Sequence, residues 1–110
     1  MSTLIQPDSD QIQLASVMAA LSDPVRVTIV RALAAQGEFA CGTLELGISP
    51  ATRSHHFRVL REAGITNTRA VGTHRFVSLR REELDARFPG LLDAVLAAAE
   101  REAAYTPPSA

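Results

Sequence analysis

Ser49-Pro50-Ala51-Thr52-Arg53-Ser54-His55-His56-Phe57-Arg58-Val59-Leu60-Arg61-Glu62-Ala63-Gly64 is the stretch on which the reading of this chain turns. Serine is a strong helix cap, and proline suits the first helical position, where its missing N–H costs nothing. Glycine suits the left-handed residue that closes a helix. The spacing therefore predicts a helix over 50–63. Phe57 and Leu60 share its inward side, with Val59 and Ala63 as further candidates. Thr52, Arg53, Ser54, His55, Arg58 and Arg61 supply hydroxyl, imidazole and guanidinium groups to the rest of the surface. A helix that enters a DNA major groove needs such a division: one side anchored, the other hydrogen-bonding and cationic.

The charge pattern around this helix points the same way. The 110-residue chain carries a net charge of −1, and all 11 basic residues are arginine. Seven of them, Arg53, Arg58, Arg61, Arg69, Arg75, Arg80 and Arg81, fall between Ser49 and Arg81, where Glu62 is the lone acid. Seven minus one leaves that window at +6, and the remainder of the chain is acidic. Such asymmetry is the footprint of a polyanion partner, although a solvated basic face looks the same on charge alone.

Upstream, helices are expected over 10–21 and 24–36, with a short one at 43–46. Leu14, Val17, Met18 and Leu21 recur at helical spacing in the first, and Val25, Ile29, Val30 and Leu33 in the second. Asp23-Pro24 repeats the cap-then-proline start, and Gly37 suits a helix end. Downstream the pattern switches to strand-forming residues over 65–70 and 74–79, joined by Val71-Gly72-Thr73 as a hairpin. A helical turn or two is expected over 81–87. Phe88-Pro89 interrupts it, and a last helix runs over 90–104 with Leu92, Val95, Leu96, Ala99 and Ala103 on one side. Residues 1–8 and 105–110 read as loose tails. The fold class is mainly α with a small β-hairpin, a helix-turn-helix followed by a wing.

The bulk numbers set outer limits. A length of 110 residues fits one domain, and a hydrophobic fraction of 46% suffices for a core, though not a generous one. The single cysteine, Cys41, excludes an intrachain disulfide framework. The N-terminus is polar and acidic, unlike a secretory signal, and no apolar run has the ~20 residues of a membrane span. A cytoplasmic protein is expected.

Two motifs carry a family resemblance. Leu21-Ser22-Asp23-Pro24-Val25-Arg26 resembles the L-x-D-P-x-R entry to the second helix of ArsR-type winged-helix repressors. Ser49–Gly64 is similar to that family's recognition helix, with Thr52, Ser54, His56, Leu60, Ala63 and Gly64 in register. The likeness spans about residues 12 to 100, including Gly72 and Phe76–Leu79 of the wing, where Val77 stands in place of a tyrosine. The resemblance implies a homodimeric repressor on a palindromic double-stranded DNA operator, paired through its first and last helices. Leu14, Val17, Met18, Leu92, Val95, Leu96 and Ala99 are then the expected dimer contacts; the same stripes can instead close a monomer core. The expected DNA contacts are Ser49, Thr52, Arg53, Ser54, His55, His56, Arg58 and Arg61, with Arg69, Thr73, His74 and Arg75 in the wing. Arg80 and Arg81 either join them or begin the next helix. For His56, DNA contact and packing at the base of the helix both stay open.

The chain departs from the family's pattern at two places. Position 53 is usually apolar there, so Arg53 either reads DNA or covers the core. Metal-sensing members often carry a C-x-C pair before the recognition helix. Here Cys41 falls on the middle position, flanked by Ala40 and Gly42, and the last helix has no histidine. No metal site and no cofactor are expected. Cys41 precedes a short helix, whose N-terminus lowers a thiol pKa, so a redox-responsive regulator is an alternative. A small semi-buried apolar role is the plainer one. A protein-interaction winged helix is a further alternative, but it needs no +6 segment. Consecutive His55 and His56 project about 100° apart on a helix, which argues against a shared catalytic centre, and no enzyme is expected. An unknown small-molecule effector remains a possible partner.

Overall fold

Two cap-and-proline starts divide the first half of the chain into helices. Asp23 Oδ1 accepts from the N–H of Val25 (2.8 Å) and of Arg26 (3.2 Å). Ser49 Oγ accepts from the Thr52 N–H at 3.2 Å. Each bond satisfies one of the donors that a helix start leaves unpaired. The computed structural model describes residues 6–104. Its elements in order are a 3-10 turn at Ser9–Gln11, α1 (Leu14–Ala20), α2 (Pro24–Gln36), β1 (Phe39–Ala40), a 3-10 turn at Cys41–Thr43, and α3 (Pro50–Glu62). There follow β2 (Thr66–Val71), β3 (His74–Leu79), α4 (Arg81–Arg87) and α5 (Leu91–Ala104). The architecture is mainly helical, with a small antiparallel sheet standing beside α3.

Several expected boundaries are corrected. The first helix does not run over 10–21: Ile12 and Gln13 are extended and separate the 3-10 turn from α1. Ile12 is buried, so the chain breaks helical geometry to drop that side chain into the core. No helix forms at 43–46. The preceding residues Phe39–Ala40 instead pair with Val77 and Phe76 as a third strand, giving the order β1-β3-β2. The first strand of the hairpin runs one residue later than expected, because Val71 pairs with His74 and only Gly72-Thr73 turns. Gly72 has φ +59° and Thr73 is not in the left-handed region, the order of a type II′ turn. Of the tails, 1–5 and 105–110 lie outside the described residues. Gln6–Asp8 are tied down: the Gln6 amide accepts from the Thr68 N–H (2.7 Å) and donates to its carbonyl (3.3 Å). Gln6 thereby occupies backbone groups on the open edge of β2.

The core joins all the layers. Val17 and Ala20 of α1, Ile29, Val30 and Leu33 of α2, Phe57 and Leu60 of α3, Val77 of β3, Leu84 of α4 and Leu92 of α5 are buried together. The end of α3 is fixed most tightly. The Gly64 N–H bonds to the Arg61 carbonyl and the Ile65 N–H to the Leu60 carbonyl, both at 3.0 Å, the bond pair of a Schellman closure. Gly64 has φ +86°, and a Cβ there would lie 2.6 Å from a side-chain carbon of Ile12. Only glycine meets both conditions, so this residue sets the exit of α3 into the wing and its packing against the N-terminal segment.

Candidate nucleic-acid interface

Helix α3 separates its side chains cleanly. His56, Phe57 and Leu60 are buried, whereas Ser49, Thr52, Ser54, His55 and Arg58 are exposed and Arg53 and Arg61 half-buried. The exposed groups touch one another rather than the core. Ser49 Oγ donates to Thr52 Oγ1 (2.9 Å), and a guanidinium N–H of Arg58 donates to His55 Nδ1 (3.2 Å). His56 faces the other way. Its Nδ1 lies 3.1 Å from Arg26 Nη1, and since a guanidinium only donates, the imidazole nitrogen accepts. Arg26 Nε also donates to the Ala20 carbonyl at 2.6 Å, so one α2 side chain ties the end of α1 to the inner side of α3. Of the two readings of His56, packing is the one its position fits. Asp23 stands close by. Burial alone would raise its pKa, but the N–H groups of Arg26 and Val25, with nearby His56 and Arg26, hold it below 3.8.

The hairpin has two chemically different faces. Thr66, Thr68 and Ala70 on β2 share one face with Leu79, Val77 and Arg75 on β3, by pairing register and strand alternation. Thr66, Thr68 and Val77 are buried, so this face meets the core, and Arg75 extends it toward the exposed tip. Arg69, Phe76 and His74 belong to the opposite face. There Arg69 lies 5.1 Å from the Phe76 ring centre and 2.7 Å from Glu38, which precedes β1. The bond from Arg69 holds the Glu38 carboxyl below its ordinary range. Glu38 and Arg69 thus bracket Phe76 across the outer side of the sheet.

Folding redistributes the +6 segment. Arg69 pairs with Glu38, Arg80 with Glu83, and Arg81 with Asp85 and Asp93. Arg80 also donates to the Pro7 carbonyl at 2.6 Å, and its bond to Glu83 lowers that carboxyl's pKa. Arg80 and Arg81 belong to the joint between wing and α4. Every one of those acids lies outside the 49–81 window, so the sequence count overstated the exposed charge. Arg53, Arg58 and Arg75 have no ion pair among the described residues, and with Arg61 they place the basic surface on α3 and the adjoining wing face.

Cys41 sits where these elements meet. It shares a pocket of about 100 Å³ with Arg53, Ser54, Phe57 and Arg61 of α3 and Arg75 of β3. Burial pushes its thiol above the ordinary value of 9.0, outweighing its own backbone N–H and the charges of Arg75, Arg53 and Arg61. The expectation of a thiol activated by a helix start is corrected: only a 3-10 turn begins there, and desolvation dominates. Among the described residues no three His, Cys, Asp or Glu side chains come together as a metal set, and no helix is long and apolar enough to cross a membrane.

The expected dimer residues divide as well. Val17 and Leu92 are buried within the chain itself, which corrects their place in the list of contacts between subunits. Leu14 and Met18 are 50% and 53% exposed, one helical turn apart on α1. On α5 only Leu92 is buried; Val95, Leu96 and Ala99 are half-buried. Between α5 and the start of α2 runs an open groove of about 480 Å³, lined by Leu21, Pro24, Val27, Val95 and Ala99 among others.

Helix-turn-helix geometry with an adjoining wing defines a class, and comparison with known proteins agrees. Residues 21–69 match a family described as a helix-turn-helix domain. A solved ArsR family transcriptional regulator shares the fold, with a TM-score of 0.59 at 22% identity, over 93% of this chain and all of that one. The fold is therefore that of a winged helix-turn-helix protein. The structure of the transcriptional repressor BigR from Xylella fastidiosa matches at a TM-score of 0.60 and 36% identity, covering 77% of this chain and 84% of that one. The uncharacterized HTH-type transcriptional regulator YceK of Bacillus subtilis is 42% identical over 94 residues, 83% of this chain and 92% of its own length. The chain belongs to the ArsR family of transcriptional regulators.

Proposed function

We propose that the protein is a homodimeric repressor that binds a palindromic double-stranded DNA operator, with α3 of each subunit in the major groove and the wing tip beside it. The observation that carries this reading is the division of α3. His56, Phe57 and Leu60 hold the helix to the body, and that leaves Ser49, Thr52, Ser54, His55 and Arg58 outward as one polar, cationic surface. Hydroxyls and guanidinium groups of this kind fix the helix on phosphates and reach base edges. Thr73, His74 and Arg75 are exposed at the wing tip and extend the contact. Arg69 leaves the set because Glu38 already neutralises it, and His56 leaves it because it is buried.

Pairing of subunits is supported by what the single chain leaves open. Helix α5 has 14 residues and one buried side chain, and α1 exposes Leu14 and Met18. Apolar helical surface of that extent is stable when a partner covers it. A two-fold dimer presents two α3 helices, which fit half-sites about 34–36 Å apart, one turn of DNA. Selection of bound fragments from the source genome by the purified protein tests the proposal. The expected result is a shared inverted repeat with half-sites about 10 base pairs apart, protected by two subunits. Recovery of unrelated fragments with no repeated half-site would refute it.

A further inference from the structure

The wing is clamped from both sides at one level, and only one of the clamps is a strand. Val77 of β3 pairs with Phe39 of β1 on one side and with Thr68 of β2 on the other. Beyond Thr68 lies Gln6, whose amide accepts from the Thr68 N–H (2.7 Å) and donates to the Thr68 carbonyl (3.3 Å). A carboxamide carries the same donor and acceptor as a peptide group, so Gln6 stands in for one residue of a further strand. The segment behind it is fixed to the body. The Pro7 carbonyl accepts from Arg80 at 2.6 Å, and the Arg80 side chain is only 8% exposed, so this tie is shielded from water. The Ile12 carbonyl accepts from Arg87 of α4 at 2.5 Å, and the buried Ile12 side chain lies against Gly64, where α3 closes. Residues 6–12 therefore run as a strap from the end of α3 to the outer edge of the wing.

We propose that Gln6 is a positioning residue for the wing, holding the hairpin at the angle to α3 at which its tip meets the DNA flanking the half-site. The inference rests on the DNA-binding reading above and adds to it what sets the reach of the wing. Past the pair of Arg69 with Phe76, the hairpin has no neighbouring strand among the described residues. A two-stranded hairpin is marginal by itself and free to twist. A strand rises about 3.3 Å per residue, so Gly72 stands about 13 Å beyond Thr68. A tilt of about 20° at Thr68 moves the tip by about 4–5 Å, further than a hydrogen bond spans. Protection of an open edge needs only a charge, a proline or a bulge. A pair of bonds to one residue, on a segment packed against the end of α3, fixes an angle as well.

The test uses the full-length protein and two duplexes of one operator from genomic selection. The long duplex keeps its flanking base pairs, and the short one is cut at the outer ends of the half-sites. The long duplex should bind wild type about tenfold more tightly than the short one, the size of one or two contacts at the wing tip. Gln6→Ala should bind the long duplex about tenfold more weakly than wild type does, and the short duplex within about twofold of it. In the free variant the Thr68 amide should exchange with solvent at least about tenfold faster. Equal weakening on both duplexes would make Gln6 a support of the fold or of pairing, and would overturn the proposal. So would unchanged binding of the long duplex, an unchanged Thr68 amide, or a wild type that binds both duplexes alike. A wild type with no preference for selected over unrelated DNA would instead refute the DNA-binding reading itself.

Discussion

Helices α3 and α5 are similar in length, 13 and 14 residues, and opposite in how the chain completes them. Helix α3 is capped by Ser49, closed at Gly64, gripped by Arg26 and anchored by three buried side chains. Helix α5 has one buried side chain and apolar residues left half-covered beside an open groove. The lesson is that local completeness and function are linked here. A helix that must hold a polar surface at a fixed angle is finished by its own chain. A helix left unfinished is the one a second subunit would finish in the proposed dimer.

The largest effect should come from disturbing the closure of α3. Gly64→Ala forces a side chain into the left-handed region and against buried Ile12. It should cost about 3 kcal/mol or more, read as a fall in melting temperature beyond ~10 °C. If the variant melts like wild type, α3 is not held as described. Next is the unfinished helix pair. Met18→Glu, at a position 53% exposed, should shift the dimer toward single subunits by more than about tenfold in sedimentation while leaving helix content unchanged. A dimer as stable as wild type would place the interface elsewhere.

Smallest is the common support. Helix α2 packs against both α3 and α5, so weakening its start tests whether the two helices depend on one base. Asp23→Ala removes the acceptor of two backbone N–H groups and should cost about 1 kcal/mol. The folded Asp23 has a lowered pKa, so its contribution is present above its ordinary value of 3.8 and is lost as pH falls through the lower folded value. Denaturant midpoints should therefore differ between wild type and variant at pH 7 and converge in strong acid. A difference that persisted unchanged into acid would remove the carboxylate from the account.

What could be read in advance followed from local rules. Caps, proline starts and closing glycines depend on a few neighbouring residues, so α2, α3 and the hairpin stand out in the sequence. The division of α3 into Phe57 and Leu60 against Ser54 and Arg58 was visible for the same reason. Long-range pairing was not visible. Nothing near Arg69 in sequence marks Glu38 as its partner, 31 residues away, and Gln6 meets Thr68 across 62 residues. Phe39–Ala40 has too few residues for a strand signal; β3 alone makes it one. Val17 and Leu92 misled because an apolar stripe shows burial without showing against what.

Salt dependence of operator affinity for wild type, Arg58→Ala and Arg69→Gln tests the central claim most directly. Arg58 lies on the outward side of α3, and Arg69 is paired with Glu38. Arg58→Ala should weaken binding and reduce the slope of log affinity against log salt by about 2 per dimer, while Arg69→Gln stays within about twofold of wild type. Equal losses in the two variants, or an unchanged slope for Arg58→Ala, would contradict the placement of DNA on α3.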